Sequence, residues 1–421
     1  MRPQLSQRGR LMPASPIRKL MPLADEARQR GLRVYHLNIG QPDLPTPAAL
    51  RSRLAGVPEV VAYTPSGGTA EFLGALQRYY RRLALPLELN ELIATTGGSE
   101  AVLFAVLATC NDGDEILVVE PFYTNYIAFA TMAGVRLVPV ASRGEDGFHL
   151  PPLAAFERAL SPRTRAVMLC NPNNPTGTVY TRAEVESLGA FCRERGLYLI
   201  SDEVYREFVY DGREATSALS LPGLEEHVIL VDSLSKRFSA CGLRLGCFAT
   251  RNRDVYQAAL RMAQGRLSPP GLAQLAALGI DELDADYYAG VVREYQARRD
   301  VLFDGLSDIP GLFLRKPEGA FYFVARLPIR DGEDFARFLL SEFSLGGATV
   351  MVAPAQGFYA SPELGADEVR IAYVLEKRDL EASVRILAAA IPAYRAARGL
   401  DAMASAPAPS APAADFHRPV V

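Results

Sequence analysis

The chain has 421 residues, 49% of them hydrophobic and 22% charged, enough to bury a large core and fill two or three domains. A formal net charge of −3 supplies no basic field for nucleic acid or anionic lipid. Five scattered cysteines (Cys110, Cys170, Cys192, Cys241, Cys247) show no metal-ligand spacing and read as reduced thiols of a cytoplasmic protein, and no run of about 18 apolar residues offers a membrane span.

In chain order, residues 1–16 are polar and read as a flexible arm; no apolar run follows their arginines, so they do not form a secretory signal. "PIRKLMPLADEARQRG" has helical character and closes at Gly31, and "VYHLNIG" follows as a short strand. From about residue 90 to 250 seven apolar runs appear: "LIATT", "EILVVEP", "RLVPVA", "RAVMLCNP", "LYLISDE", "VILVDS" and "LGCFAT". They alternate with helical stretches such as "AVLFAVLATC" and "RAEVESLGAFCRERG". Near-continuous apolar strands between helices predict an α/β fold, with a mostly parallel sheet covered on both faces. From about residue 290 a long charged helix, "GAFYFVARL", "GEDFARFLLSEF", "VRIAYVL" and a final amphipathic helix predict a smaller α+β domain. Residues 399–421 are rich in Ala, Pro and Ser and read as a disordered tail.

Ligands of open parallel sheets bind beyond the carboxyl ends of the strands, so the residues that follow each run carry the chemistry. Lys236, in "SLSK", lies among Ser233, Ser235 and Arg244, a cluster suited to an anion. Desolvation and neighbouring positive charge lower a lysine's pKa and make it competent for Schiff-base chemistry. Asp202 ends a strand, where a partly buried carboxylate calls for a cation such as a protonated ring nitrogen, and Tyr205 follows three residues later. Asn174 sits in the turn "NPNNPTG", able to bond a ligand oxygen. "TTGGSEA" offers backbone N–H groups at a helix start, with Gly98 inside it and Ser99 as the expected N-cap. The same segment resembles a nucleophile elbow centred on Ser99, which would need a late histidine; only His36, His149, His227 and His417 exist. No G-x-G-x-x-G follows a strand, and neither a P-loop nor H-E-x-x-H occurs. A helix start for an anion, a Schiff-base lysine and a carboxylate for a ring nitrogen together describe pyridoxal 5′-phosphate.

At these residues the chain resembles the fold-type I pyridoxal-phosphate enzymes, specifically the class I/II aminotransferases related to aspartate aminotransferase. "LNIGQPDLPTP", "YTPSGGTAEFLGAL", "TTGGSEA", "NPNNPTG", "SDEVY", "SLSKRFSACGLRLG" and "VRIAYV" carry the resemblance, in the family's order, over residues 17 to 395. It implies a large domain at 46–290 with a seven-stranded, mostly parallel sheet, and a small domain made of 17–45 and 291–398. It implies Lys236 as the cofactor-bearing lysine and Asp202 as the carboxylate on the pyridine nitrogen. Tyr205 and Asn174 match the partners of the ring's phenolic oxygen, and Tyr123 matches an aromatic that stacks on the ring. Gly98, Ser99, Ser233, Ser235 and Arg244 match the phosphate site, and Tyr63 a tyrosine reaching the neighbouring subunit's phosphate. Gly40 and Arg370 match the clamp on the substrate α-carboxylate. The implied activity is transfer of an amino group between an L-amino acid and a 2-oxo acid such as 2-oxoglutarate, by a homodimer with shared sites. A lyase, a decarboxylase or a specialised biosynthetic enzyme of the same fold remains an alternative. Arg266, in "QGRLSPPG", is either the reader of a substrate's distal carboxylate or a residue with its own salt-bridge partner, and Arg18 and Lys19 are further candidates.

Overall fold

All seven apolar runs become strands of one sheet in the computed structural model, which describes residues 3–400. The strands in chain order are β1 (Arg33–His36), β2 (Leu92–Thr95), β3 (Glu115–Glu120), β4 (Arg136–Ala141), β5 (Thr164–Cys170), β6 (Tyr198–Asp202), β7 (Val228–Ser233) and β8 (Gly246–Thr250). The C-terminal part adds β9 (Phe313–Leu314), β10 (Tyr322–Arg326), β11 (Ala348–Met351), β12 (Ala353–Pro354) and β13 (Glu368–Ala372). The large sheet has the order β2-β8-β7-β6-β5-β3-β4, and only β8 runs against its neighbours. Continuous apolar sequence is the consequence of helices on both faces: the helix Gly97–Thr109 covers one side, and Ala70–Arg82 and Arg182–Glu194 cover the other.

Register decides where the chemistry goes. Asp202 is level with Cys170 and with Val231, and Ser233 and Thr95 are both paired to Gly246. The last residues of β2, β5, β6 and β7 therefore share one rim, and the segments that follow them meet above it. Gly246 owes its identity to this crowding, since a Cβ there would lie 2.5 Å from the Gly97 carbonyl carbon.

The second layer joins the two chain ends. β1 pairs in parallel with β11, while β10 lies between β13 and β9 in an antiparallel sheet. The helices Met21–Gln29, Ala285–Ser307, Gly332–Ser341 and Lys377–Ala397 pack here around Tyr295, Phe321, Phe335 and Tyr373.

Two expectations differ in detail, and a third falls outside the described residues. Residues 7–11 are helical rather than an open arm: the Ser6 hydroxyl caps the turn by accepting from Gly9 N–H at 3.1 Å, and Arg8 pairs with Asp112 at 2.6 Å. The expected boundary at 290 falls inside the continuous helix Ala285–Ser307. The tail reading at 399–421 lies outside the described residues except for Gly399 and Leu400, as does His417. Among the described residues no helix is long and apolar enough to cross a membrane.

Candidate active site

Asp202 closes β6 with 5% of its surface exposed and forms no ion pair among the described residues. The Tyr126 hydroxyl donates to Oδ2 at 2.7 Å and the Val204 amide to Oδ1 at 3.3 Å. Burial raises its pKa to about 6, against the downward pull of the Tyr126 bond. A carboxylate whose folded pKa lies above its ordinary 3.8 destabilises the fold where it is ionised, above about pH 6, and ceases to do so below 3.8. Asp202→Asn is therefore expected to raise the stability of the ligand-free protein at pH 8 by up to about 2–3 kcal/mol, with the gap closing toward pH 4. Thermal melts across that range check it; a mutant less stable at pH 8 refutes it.

Lys236 follows β7 in the turn before Ala240, and its Nζ donates to the Gly40 carbonyl at 2.8 Å. Burial lowers its pKa, helped by the charges of Arg370 and Arg244 and opposed by Cys241. The turn is anchored from below. Arg237 makes two bonds to Asp232, at 2.9 and 2.7 Å, and Tyr80 donates to the same carboxylate at 2.7 Å. Arg206 lies between Asp232 at 3.5 Å and Glu203 at 2.6 Å. All four charged groups are buried, and Asp232 and Arg237 flank the Ser233–Lys236 segment on its two sides. Sequence reasoning missed this network.

The anion-type residues gather beside the turn. Ser233 Oγ donates to Ser235 Oγ at 2.9 Å, and a Cβ on Gly98 would be 3.5 Å from the Ser233 Cβ. Gly97 has φ +71°, and a Cβ there would lie 2.5 Å from Arg244 Nη2, so the loop accepts only glycine while that guanidinium stays in place. The helix starts at Gly97 with Thr96 as its N-cap residue, and the Glu100 carboxylate accepts from Thr96 N–H at 2.8 Å. Ser99 thus sits in the first turn rather than at the cap, because the helix begins two residues ahead of it, at Gly97. His36, His149 and His227 are bonded elsewhere, to Asn38, Glu184 and the Leu197 carbonyl, so no histidine among the described residues is left free to serve the nucleophile-elbow reading.

On the opposite side Asn174 Nδ2 donates to the Tyr205 hydroxyl at 3.4 Å, and the Tyr322 hydroxyl lies 3.0 Å from it. Arg370 Nη1 donates to Asn174 Oδ1 at 3.1 Å and Nη2 to the Asn38 carbonyl, while Nε is buried with no partner among the described residues. Its guanidinium lies 4.5 Å from the Tyr322 ring and 4.8 Å from the Phe358 ring. Asn38 Nδ2 donates to the Ile17 carbonyl at 3.1 Å, which ties the N-terminal segment to the same cluster. Tyr123 packs edge-on against Tyr126 at 5.5 Å. Burial and Asp202 push its hydroxyl's pKa up, and the charges of Arg370, Arg18 and Arg244 pull it down.

Two residues stand apart. Tyr63 is 81% exposed, near the exposed Val60 and Val61. Arg266 has a side chain 17% exposed that pairs with Glu100 at 3.2 Å and donates to the Ala94 and Ser66 carbonyls at 3.1 and 3.3 Å. Of the two alternatives for Arg266, the salt-bridge partner is the one found within this chain. Tyr126, Tyr322 and Asn38 were not anticipated; only the position of Tyr126 in "PFYTNY" and of Tyr322 in "GAFYFV", both beside strand ends, pointed toward the rim.

The family profile "Aminotransferase class I and II" matches residues 33–387. An aspartate/prephenate aminotransferase of Thermus thermophilus is 32% identical over 384 residues, covering 89% of this chain and 96% of that protein. The structure of a Thermus thermophilus aspartate aminotransferase with maleate superposes with a TM-score of 0.82 at 29% identity, over 93% of this chain and all of that one. An alanine aminotransferase from Pyrococcus furiosus gives 0.84 at 26% identity, over 93% and 100%. The family uses pyridoxal 5′-phosphate, and the rim suits it. A buried carboxylate without a cation, a buried Arg370 nitrogen without an acceptor, and a glycine cradle beside two serine hydroxyls and Arg244 are what a protonated ring, a carboxylate substrate and a phosphate would satisfy. The chain belongs to the class I and II aminotransferases and is a pyridoxal-phosphate-dependent transaminase.

Proposed function

We propose that the enzyme moves an amino group between an acidic L-amino acid and a 2-oxo acid such as 2-oxoglutarate, as a cytoplasmic homodimer. The observation that carries the reading is the convergence of Lys236, with its lowered proton affinity, and the cation-free Asp202 on one rim. Bound pyridoxal phosphate supplies an electron sink for the electron pair left when the α-proton departs. Gly98, Ser99, Ser233, Ser235 and Arg244 would hold the phosphate, Asp202 would keep the ring nitrogen protonated, and Tyr123 would cover the ring face. Tyr205 and Asn174 would face the phenolic oxygen. Lys236 Nζ, biased toward its neutral form, accepts the α-proton of the amino acid and returns it. Arg370 takes the α-carboxylate through parallel hydrogen bonds, with Gly40 beside it, and so fixes which bond at Cα is broken. Tyr63 and the apolar Val60 and Val61 beside it in the chain are exposed, as a dimer face that lends Tyr63 to the second subunit requires.

The acidic substrate class draws support from the relatives' names and from maleate, a dicarboxylate, in the Thermus structure. Within this chain Arg266 is engaged by Glu100 and Lys19 by Glu333. Arg18 is exposed, has no ion-pair partner among the described residues and acts on Tyr123. Arg18 is thus the better candidate for the distal carboxylate. Arg18→Ala is expected to lower kcat/KM for aspartate by about 10- to 100-fold while leaving alanine and phenylalanine nearly unchanged, the loss of one hydrogen-bonded charge. Arg266→Ala is expected to leave the aspartate-to-alanine ratio unchanged. A collapse of that ratio in Arg266→Ala alone would return the role to Arg266. Failure to form glutamate from 2-oxoglutarate in step with the amino acid consumed would favour the lyase or decarboxylase alternative.

A further inference from the structure

The geometry points to Tyr322 as a positioning residue whose hydroxyl donates to Tyr205 and so turns the Tyr205 proton toward the cofactor's phenolic oxygen. The inference rests on the reading of Tyr205 given above.

Tyr322 opens β10 and is held there by pairing with Ala372 on β13. It is fully buried, with its ring edge-on to Tyr205 at 5.6 Å between centroids and its hydroxyl 3.0 Å from that of Tyr205. Only one of two such hydroxyls can donate across the contact. The Arg370 guanidinium lies 4.5 Å from the Tyr322 ring, where it stabilises negative charge and so favours Tyr322 as the donor of the pair. Asn174 Nδ2 also donates to Tyr205. With both neighbours donating, the Tyr205 oxygen accepts twice and its own proton is left for a third group.

The backbone has been shaped around this hydroxyl. A Cβ at Gly40 would lie 1.6 Å from the Tyr322 Oη, so residue 40 can be only glycine while Tyr322 stays where it is. The Gly40 carbonyl is the acceptor of Lys236 Nζ at 2.8 Å. Tyr322 therefore lies against Tyr205, Arg370 and Gly40, the last of which meets Lys236 through its carbonyl.

A phenol that accepts a hydrogen bond becomes a stronger donor. Loss of the Tyr322 hydroxyl weakens the donation from Tyr205, leaves more negative charge on the phenolic oxygen, and raises the proton affinity of the nitrogen that joins Lys236 to the cofactor. The test is an absorbance titration of the resting holoenzyme against pH, with no substrate present. Tyr205→Phe is expected to raise the midpoint of the visible band most. Tyr322→Phe should raise it by a smaller amount, about 0.2–0.5 unit. The double variant should match Tyr205→Phe alone, and Tyr322→Phe should weaken pyridoxal-phosphate binding to the apoprotein about two- to fivefold. Tyr322→Leu, expected to shift the band in the same direction, serves if the phenylalanine variant folds poorly. An unchanged midpoint in Tyr322→Phe, or a double variant whose shift is the sum of the two singles, overturns the inference. No shift in Tyr205→Phe overturns instead the reading on which it rests.

Discussion

Lys236→Ala is expected to lower turnover by about 10⁴-fold, the largest effect of any single change in this protein. Two properties of the site lead to that figure. The lysine nitrogen lies where the carbonyl of Gly40, the residue matched to the α-carboxylate clamp, meets it at 2.8 Å, and its proton affinity is lowered by burial and by two arginines. No other lysine lies in the turn, and the histidines of the described chain are bonded elsewhere. Alanine removes a charge that is costly to bury, so the apoprotein should melt no lower than wild type. Borohydride reduction of the wild-type holoenzyme followed by peptide mapping should label Lys236; a label on another lysine refutes the assignment. Mixing Lys236→Ala chains with Tyr63→Phe chains should restore part of the activity if the sites are shared between subunits. A fully active monomer in sedimentation would end the shared-site reading.

Asp232→Asn is expected to cost about 3–5 kcal/mol of stability, the largest structural penalty. Burial alone would raise the pKa of this carboxylate, but Arg237 and Arg206 outweigh it and hold the pKa below the ordinary value. Stability from such a group is present above the unfolded pKa near 4 and is lost as pH falls below it, so the wild-type advantage should fade in acid. The asparagine cannot balance two buried guanidinium groups, and both lie within hydrogen-bonding reach of the carboxylate, at 2.7 and 3.5 Å. Urea unfolding of the apoproteins at pH 7 measures the loss. Arg237→Met added to Asp232→Asn should recover part of it, since an uncompensated charge is removed with its partner. A single variant as stable as wild type would show that the network is not what anchors the Lys236 turn.

The seven strands, their mostly parallel arrangement and most of the rim were legible in the chain because local rules write them. A strand covered on both faces must be apolar at every position, so each run announced itself, and the polar residue that ends it had to lie at the sheet's edge. Lys236, Asp202, Asn174 and the Gly97–Gly98 loop were found in that way. The helix at residues 7–11 was missed because its stability comes from a serine cap and a contact with Asp112 rather than from any apolar periodicity.

The amino-acid sequence by itself determined the α/β fold, the cofactor chemistry and the strand ends that carry it, since each depends on periodicity and on residues close together in the chain. The tertiary structure alone decided which side chains complete the site. Tyr126 reaches Asp202 across 76 positions and Tyr322 reaches Tyr205 across 117, and nothing local in either segment specifies the partner. Arg266 shows the same limit from the other direction. Its sequence context left open a substrate-binding or a salt-bridged arginine, and within this chain the register of β2 and the start of the next helix bring Glu100 within 3.2 Å of it. Charge neutralisation between groups distant in sequence is settled only when the sheet has closed and desolvation favours the pairing of charges it buries together.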